Sequence, residues 1–309
     1  MKIIKLKPYF SEKIWGGQEL NNFGYQIPQD KKIGEAWIIS AHPNGMSYLD
    51  SPGIPHQSLK DFFNQNRQEF GNYQGEFPLL VKIITANDFL SVQVHPDDQY
   101  AKKHHQSLGK PESWYVLAAP ENAQLIYGHH AKTRPELVSM VKHNQWEKLL
   151  KKVQIEVGDF VYVDAGKIHA ITPGVVVYEL QRSSDITYRF YDFEREDEYG
   201  KKRSLNIKDS LQVTTVPDSK DQIIKKAEKL IWSSSAFSLY LADVEEKEVF
   251  KLSKTEQPYW LQFTVISGEG TIHQEPFKKG ESGIGIGIGN LEDVELVGKM
   301  KVLISWIRK

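Results

Sequence analysis

Residues 158–171 read GDFVYVDAGKIHAI. Gly158 opens a short apolar, β-branched run, Asp164-Ala165-Gly166 supplies a tight turn, and His169 begins the return strand. An apolar strand has no use for a histidine at its first returning position unless the ring nitrogen has a partner. The stretch therefore predicts two β-strands joined by a turn, with a functional candidate at the junction.

The same pattern recurs outward in both directions. Period-2 alternation and short apolar runs predict strands at GEAWIIS (34–40), PLLVKIITA (78–86), FLSVQVH (89–95), SWYVLAA (113–119) and AQLIYG (123–128). Further strands are expected at VQIEVGDFVYV (153–163), HAITPGVVVYELQ (169–181) and ITYRFYDF (186–193), and again at FSLYLADV, YWLQFTVISGEGTIH and KMKVLISWI near the end. Helices are expected only at 56–71, 133–150 and 204–213. The punctuation by Gly, Pro and Asp is that of a sandwich or barrel, so the fold class is mainly β. Residues 214–230 read as a polar connector, which divides the chain into 1–219 and 220–309. The run EREDE (194–198) reads as a charged loop, the pair His104–His105 as a solvated turn, and His129–His130 likewise. GIGIGIG (283–289) is one strand-like stretch with no functional weight.

Composition narrows the function. The chain has 309 residues, with 39 Lys plus Arg against 40 Asp plus Glu. That balance argues against nucleic-acid or anionic-membrane binding, which needs clustered positive charge. There is no cysteine, so a metal has to be held by His, Asp, Glu or an amide oxygen. The start, MKIIKLKPYF, is interrupted by lysines and lacks the apolar core of a signal peptide, and no apolar run has the length of a membrane span. The expected location is the cytoplasm, and the sequence leaves the oligomeric state open.

Partners for His169 lie in SVQVHPDDQYAKKHHQSLGKPESWYV (91–116). Gln93 and His95 are two apart on a strand and share a face, while Val92 and Val94 turn to the other. Glu112 stands at the start of the next strand. A lone histidine or glutamine in such a place is ordinarily a solvated or satisfied polar residue. Two imidazoles, a carboxylate and an amide in a converging arrangement are a donor set for zinc with an open position.

The two segments resemble the paired motifs of the cupin superfamily: QVH…KPE…YG for the first, and G-x5-D-x-G-x2-H at 158–169 for the second, with Asp164 where proline is common. The resemblance extends to type I mannose-6-phosphate isomerases of the short bacterial kind. It is carried by KIWGG (13–17), GEAWIISAHPNGMS (34–47), LSVQVHPDDQYA (90–101), GKPESWYVL (109–117), DAGKIHAI (164–171) and YELQRSSDITYRFYDFERED (178–197). VISGEG (265–270) is similar to the start of a second, degenerate cupin.

The resemblance implies two cupin, jelly-roll β-sandwich domains, the first (1–219) catalytic with short helical insertions, the second (220–309) degenerate. It implies one zinc ion per chain held by Gln93, His95, Glu112 and His169. It implies interconversion of mannose 6-phosphate and fructose 6-phosphate through an enediol, with Arg189 as the essential arginine and Lys110, Glu179 and Asp185 in the pocket. The chemistry asks for such groups: a cation for enediolate charge, a base for the migrating proton, and an arginine for an oxyanion. A His/His/carboxylate set also suits iron(II), so an iron(II) dioxygenase and a non-catalytic metal- or sugar-binding module are the competing readings. Neither has a stated need for Arg189 in register with the metal set.

Overall fold

The computed structural model describes residues 1–197, 199–251, 257–288 and 293–309. Glu198, the last residue of EREDE, and Gly289, the last of GIGIGIG, lie outside the described residues. The architecture is mainly β, as expected, with short helices between strands. No helix among the described residues is long and apolar enough to cross a membrane.

The chain forms two compact units, and they do not follow the expected 1–219 and 220–309 division. One comprises residues 12–17 and 84–226, the other 1–11, 18–83 and 227–309. The reason is strand pairing. KIIKLK, unassigned in the sequence, is the strand Lys2–Lys7, and it pairs with Ser282–Ile286 on one side and Tyr48–Leu49 on the other. The N-terminal strand is thereby a member of the C-terminal sheet.

In the larger-numbered unit that sheet runs Lys229–Ser233, Ser238–Val244, Val294–Trp306, Leu261–Ile272, Ser282–Ile286, Lys2–Lys7, Tyr48–Leu49. Its core gathers Phe250, Phe263, Phe277, Val302, Ile304 and Trp306. The glycine alternation at 283–285 has a packing cause. A Cβ on Gly283 would lie 2.7 Å from the Ile4 carbonyl oxygen, and one on Gly285 2.9 Å from the Phe263 ring. Beside the sheet, Trp260 is buried among Phe63, Phe70, Tyr73 and Phe77, with ring centroids 5.1–5.8 Å away.

The other unit pairs two sheets around one core. The first has the order Leu150–Gln154, Gln124–His129, His169–Ala170, Val92–Val94, Tyr188–Tyr191; the second brings together Ile223–Ile224, Phe160–Val163, Glu112–Ala118 and Val176–Arg182. Trp114, Val116, Val161, Val163 and Val177 from the second sheet meet Leu125 and Tyr127 from the first. The opposite face of the first sheet, with Val92, Val94, Ala170, Tyr188 and Phe190, is covered by Leu137 and Val141 of the helix Arg134–Lys142.

Several expected elements are broken where the backbone turns left-handed. The 153–163 run is two strands, split before Phe160 around Gly158 at φ +92°, and the 169–181 run is split around Gly174 at φ +82°. The 133–150 helix stops at Lys142, resumes at Trp146, and has Asn144 at φ +52° between. KKHHQS is no turn: Lys102–His105 end the helix Asp98–His105, which Asp97 caps by accepting the Tyr100 N–H at 2.8 Å. Nor is His129 solvated; it is buried and its Nε2 lies 2.9 Å from the Thr215 carbonyl.

The aromatic cluster gives a direct test of the regrouping of residues 18–83 with the C-terminal strands. Trp260→Ala should cost about 3–5 kcal/mol in urea unfolding, and Phe63→Ala combined with it should be clearly non-additive, because the two rings share one contact.

Candidate metal centre

The centre is built by strand register. Tyr127 pairs with His169, His169 with Gln93, and Gln93 with Arg189. Residues paired across antiparallel strands point to the same face, so these four form a row across the first sheet. On the facing sheet Glu112 pairs with Val163 and Gln181, and Trp114 with Val161 and Glu179. Glu112 and Trp114 point inward, and the Trp114 ring meets the His169 ring edge-on at 5.4 Å.

His95, Glu112 and His169 converge with their ligand atoms within 4.8 Å of one another, and all three are buried. His95 Nε2 is 3.2 Å from Glu112 Oε2, and His169 Nε2 is 3.2 Å from Glu112 Oε1. The tautomers follow from the other ring nitrogens. His95 Nδ1 lies 2.8 Å from the Ile186 carbonyl and His169 Nδ1 lies 2.8 Å from the Lys167 carbonyl. A carbonyl accepts only, so each Nδ1 carries the proton and each Nε2 presents a lone pair. The structure therefore aims two imidazole lone pairs at the two oxygens of one carboxylate.

An imidazolium would relieve that meeting of acceptors, but the surroundings oppose it at His95. Burial, followed by the charge of Lys110, pushes its pKa down to about 3, against the pull of Glu112. Burial on its own raises Glu112, yet Lys110 and then His95 and His169 outweigh it and hold the carboxyl well below the usual carboxylate range. Among the described residues the His169 Nε2 has no hydrogen-bond partner. Buried polar atoms are rarely left so, and a cation held among these acceptors would satisfy them together. The donor set of two nitrogens and a carboxylate suits a divalent transition metal.

Comparison with known proteins agrees with this geometry. Residues 3–119 match the family model described as phosphomannose isomerase type I, catalytic domain. The mannose-6-phosphate isomerase of Streptococcus mutans is 42% identical over 288 residues, covering 89% of this chain and 90% of that protein. The chain belongs to the type I mannose-6-phosphate isomerase family. A second member, mannose-6-phosphate isomerase ManA of Bacillus subtilis, is 39% identical over 284 residues, with 89% and 90% covered. The crystal structure of the Bacillus subtilis mannose 6-phosphate isomerase superposes with a TM-score of 0.90 at 36% identity, covering 99% of this chain and all of that one.

The residues expected in the pocket fall into two groups here. Lys110 is buried at the centre, its Nζ 2.9 Å from Glu112 Oε2 and 3.2 Å from His95 Nε2. Glu179 is buried and accepts the Trp114 indole N–H at 3.1 Å. Gln93 and Arg189 share the face of His169 through the register above. Asp185 stands apart: it is exposed, on the loop after Arg182, and the feature of that loop that reaches the centre is the Ile186 carbonyl.

Arg189 is not an ion-pair partner of Glu179 or Asp185; among the described residues it forms no ion pair, and its buried Nε has no hydrogen-bond partner. The carboxylate of its neighbourhood, Asp192, is taken by Arg195 and Arg203, with contacts of 2.5–2.7 Å. Sequence reading missed this clamp and missed Lys167. Their signal was present, in a lysine inside an otherwise apolar strand turn and in the D-x2-R spacing of DFER, but charged residues in loops are too common for either to stand out.

Two outcomes test the centre. A His95→Ala/His169→Ala variant should retain no stoichiometric divalent metal by elemental analysis, whereas the parent chain should retain it. Burial pushes Asp192 up, but the hydrogen bonds from Arg203 and Arg195 dominate and hold it below the usual carboxylate range. A depressed folded pKa contributes stability that is complete above about pH 4 and is lost as pH falls through the folded value. Asp192→Asn should therefore flatten the acid limb of the stability–pH curve below about pH 4, read from thermal midpoints.

Proposed function

We propose that the chain interconverts mannose 6-phosphate and fructose 6-phosphate, with one zinc ion held by Gln93, His95, Glu112 and His169. The observation that carries the reading is the facing of two imidazole lone pairs onto the buried Glu112 carboxylate beside the Lys110 ammonium. Family membership supplies the substrate, and the donor set supports the metal.

Aldose–ketose exchange takes a proton from C2 of the aldose and returns one to C1, while a hydroxyl proton passes from O2 to O1, through an enediol. Bound there, zinc would polarise the sugar oxygens and offset the negative charge of the enediolate. The protein's own groups do the rest. His95 and His169 turn Nε2 toward the donor set because backbone carbonyls accept from their Nδ1–H groups. Lys110 brings a fixed positive charge to the donor set, where burial strengthens it. Arg189 has an unpartnered buried N–H on the same sheet face and can direct it at an anionic oxygen of the bound sugar phosphate. Glu179, oriented by the Trp114 N–H, offers a buried carboxylate. With a formal net charge of −1, the attraction for a dianionic substrate has to come from such local cations rather than from the field of the whole molecule.

The test is coupled detection of fructose 6-phosphate from mannose 6-phosphate, alongside oxygen uptake. Activity that is lost on chelation and regained with zinc is expected; oxygen uptake without isomerisation would replace the proposal with an iron dioxygenase. A charge-assisted contact contributes roughly 1.5–3 kcal/mol, so Arg189→Ala and Lys110→Met should each lower kcat/KM by about 10–100-fold. Arg189→Ala should act mainly on kcat, and both variants should keep their zinc. Wild-type kinetics for Arg189→Ala would make that residue structural.

A further inference from the structure

Lys167 is a lysine with 1% of its surface exposed, and no step of the proposed reaction uses it. Its three ammonium protons are all placed: Nζ lies 2.9 Å from Asp218 Oδ2, 2.9 Å from Asp221 Oδ1 and 2.6 Å from the Ser219 carbonyl. It also sits 4.5 Å over the ring of Tyr127, the residue in register with His169. Lys151 closes on the second oxygen of Asp221 at 2.6 Å, so two cations balance two carboxylates. Such a cluster is weak evidence for stability alone, because the desolvation of buried charges opposes their attraction.

What the cluster holds is the turn between the two metal-binding segments. The Lys167 carbonyl is the acceptor that fixes the Nδ1 proton of His169. The neighbouring Gly166 N–H donates to the His95 carbonyl at 2.9 Å, and the Gly166 carbonyl accepts the Thr215 N–H at 3.0 Å. Gly166 is left-handed at φ +83°, and a Cβ there would lie 2.4 Å from Thr215 Oγ1. The connector, through residues 215–221, thus grips the turn at Gly166 by its backbone and at Lys167 by charge.

We propose that Lys167 is a positioning residue for the metal centre: anchored by Asp218 and Asp221, it orients the carbonyl that keeps His169 in the Nε2-donor tautomer. The inference rests on the metal reading above. Groups that orient a ligating histidine through its second nitrogen tune metal affinity by about 10–100-fold, and here the orienting carbonyl is itself held by its own side chain.

The experiment uses the full chain, stripped of metal, and titrates zinc against a chromophoric chelator. Lys167→Met removes the ammonium and keeps the stem. It also leaves Asp218 without that cation and Asp221 with Lys151 alone, so Lys167→Met/Asp218→Asn/Asp221→Asn, which removes both carboxylates, is made in parallel to secure a folded protein. The expected result is a loss of zinc affinity of about 10–100-fold in both, with the imidazole nitrogen NMR of His169 shifting away from a single Nδ1-protonated form. Exposed Lys148→Met should change neither. A folded triple variant with parental zinc affinity and an unchanged His169 tautomer would overturn the proposal and leave Lys167 a structural ion-pair residue. A parental chain that takes up no zinc would instead overturn the metal reading and this inference with it.

Discussion

Glu112 is fully buried, and each of its oxygens faces an imidazole lone pair at 3.2 Å. Acceptors do not attract acceptors, and a buried carboxylate needs compensating charge. Lys110 provides one compensating group at 2.9 Å. The rest of the unit is arranged around keeping these groups together: the carbonyls of Ile186 and Lys167 accept the Nδ1–H hydrogen bond on the far side of each ring, and the Trp114 ring meets His169 edge-on. A cation held by these acceptors would couple metal binding to the stability of the fold.

Register turns that chemical requirement into geometry. Because side chains alternate along a strand, a one-residue slip of Val92–Val94 would exchange Gln93 for a valine on the inner face. The slip is opposed on the other side, where Val92 and Val94 pack with Ala170, Tyr188 and Phe190 beneath the helix Arg134–Lys142. The apolar face therefore fixes the polar one. The same logic holds on the second sheet, where Val116, Val161 and Val177 extend the core up to Trp114, Glu179 and Glu112.

The candidate donors were legible in the sequence because strand alternation and turn chemistry are local. Gln93, His95, Glu112 and His169 could be grouped from spacing and strand order, and the structure brings His95, Glu112 and His169 into one cluster with Gln93 in register. What was not legible was non-local. The pairing of Lys2–Lys7 with Ser282–Ile286 joins segments some 280 residues apart, and no periodicity announces a partner, so the division into 1–219 and 220–309 missed it. Asp185, adjacent to the arginine strand in sequence, is exposed, whereas Asp192, Arg195 and Arg203 form the clamp. Two strand breaks fall inside runs read as continuous, one at Gly158 and one at Pro173-Gly174.

The connector is the least sequence-evident part and closes the argument about how the centre is held. Read as a polar linker, 214–230 has no apolar face to announce packing. Yet Gln222 bonds the Asp164 side chain, Ile223–Ile224 adds a strand to Phe160–Val163, and Lys225 pairs with buried Asp159 at 2.7 Å. Each contact falls on the strand or turn that delivers His169. A metal-binding turn made only of backbone and one glycine would have several accessible conformations, and ordering it costs roughly 1–2 kcal/mol per residue. Polar contacts spread along a neighbouring segment supply that order. Charge in this segment is thus a means of rigidity, which hydropathy alone does not reveal.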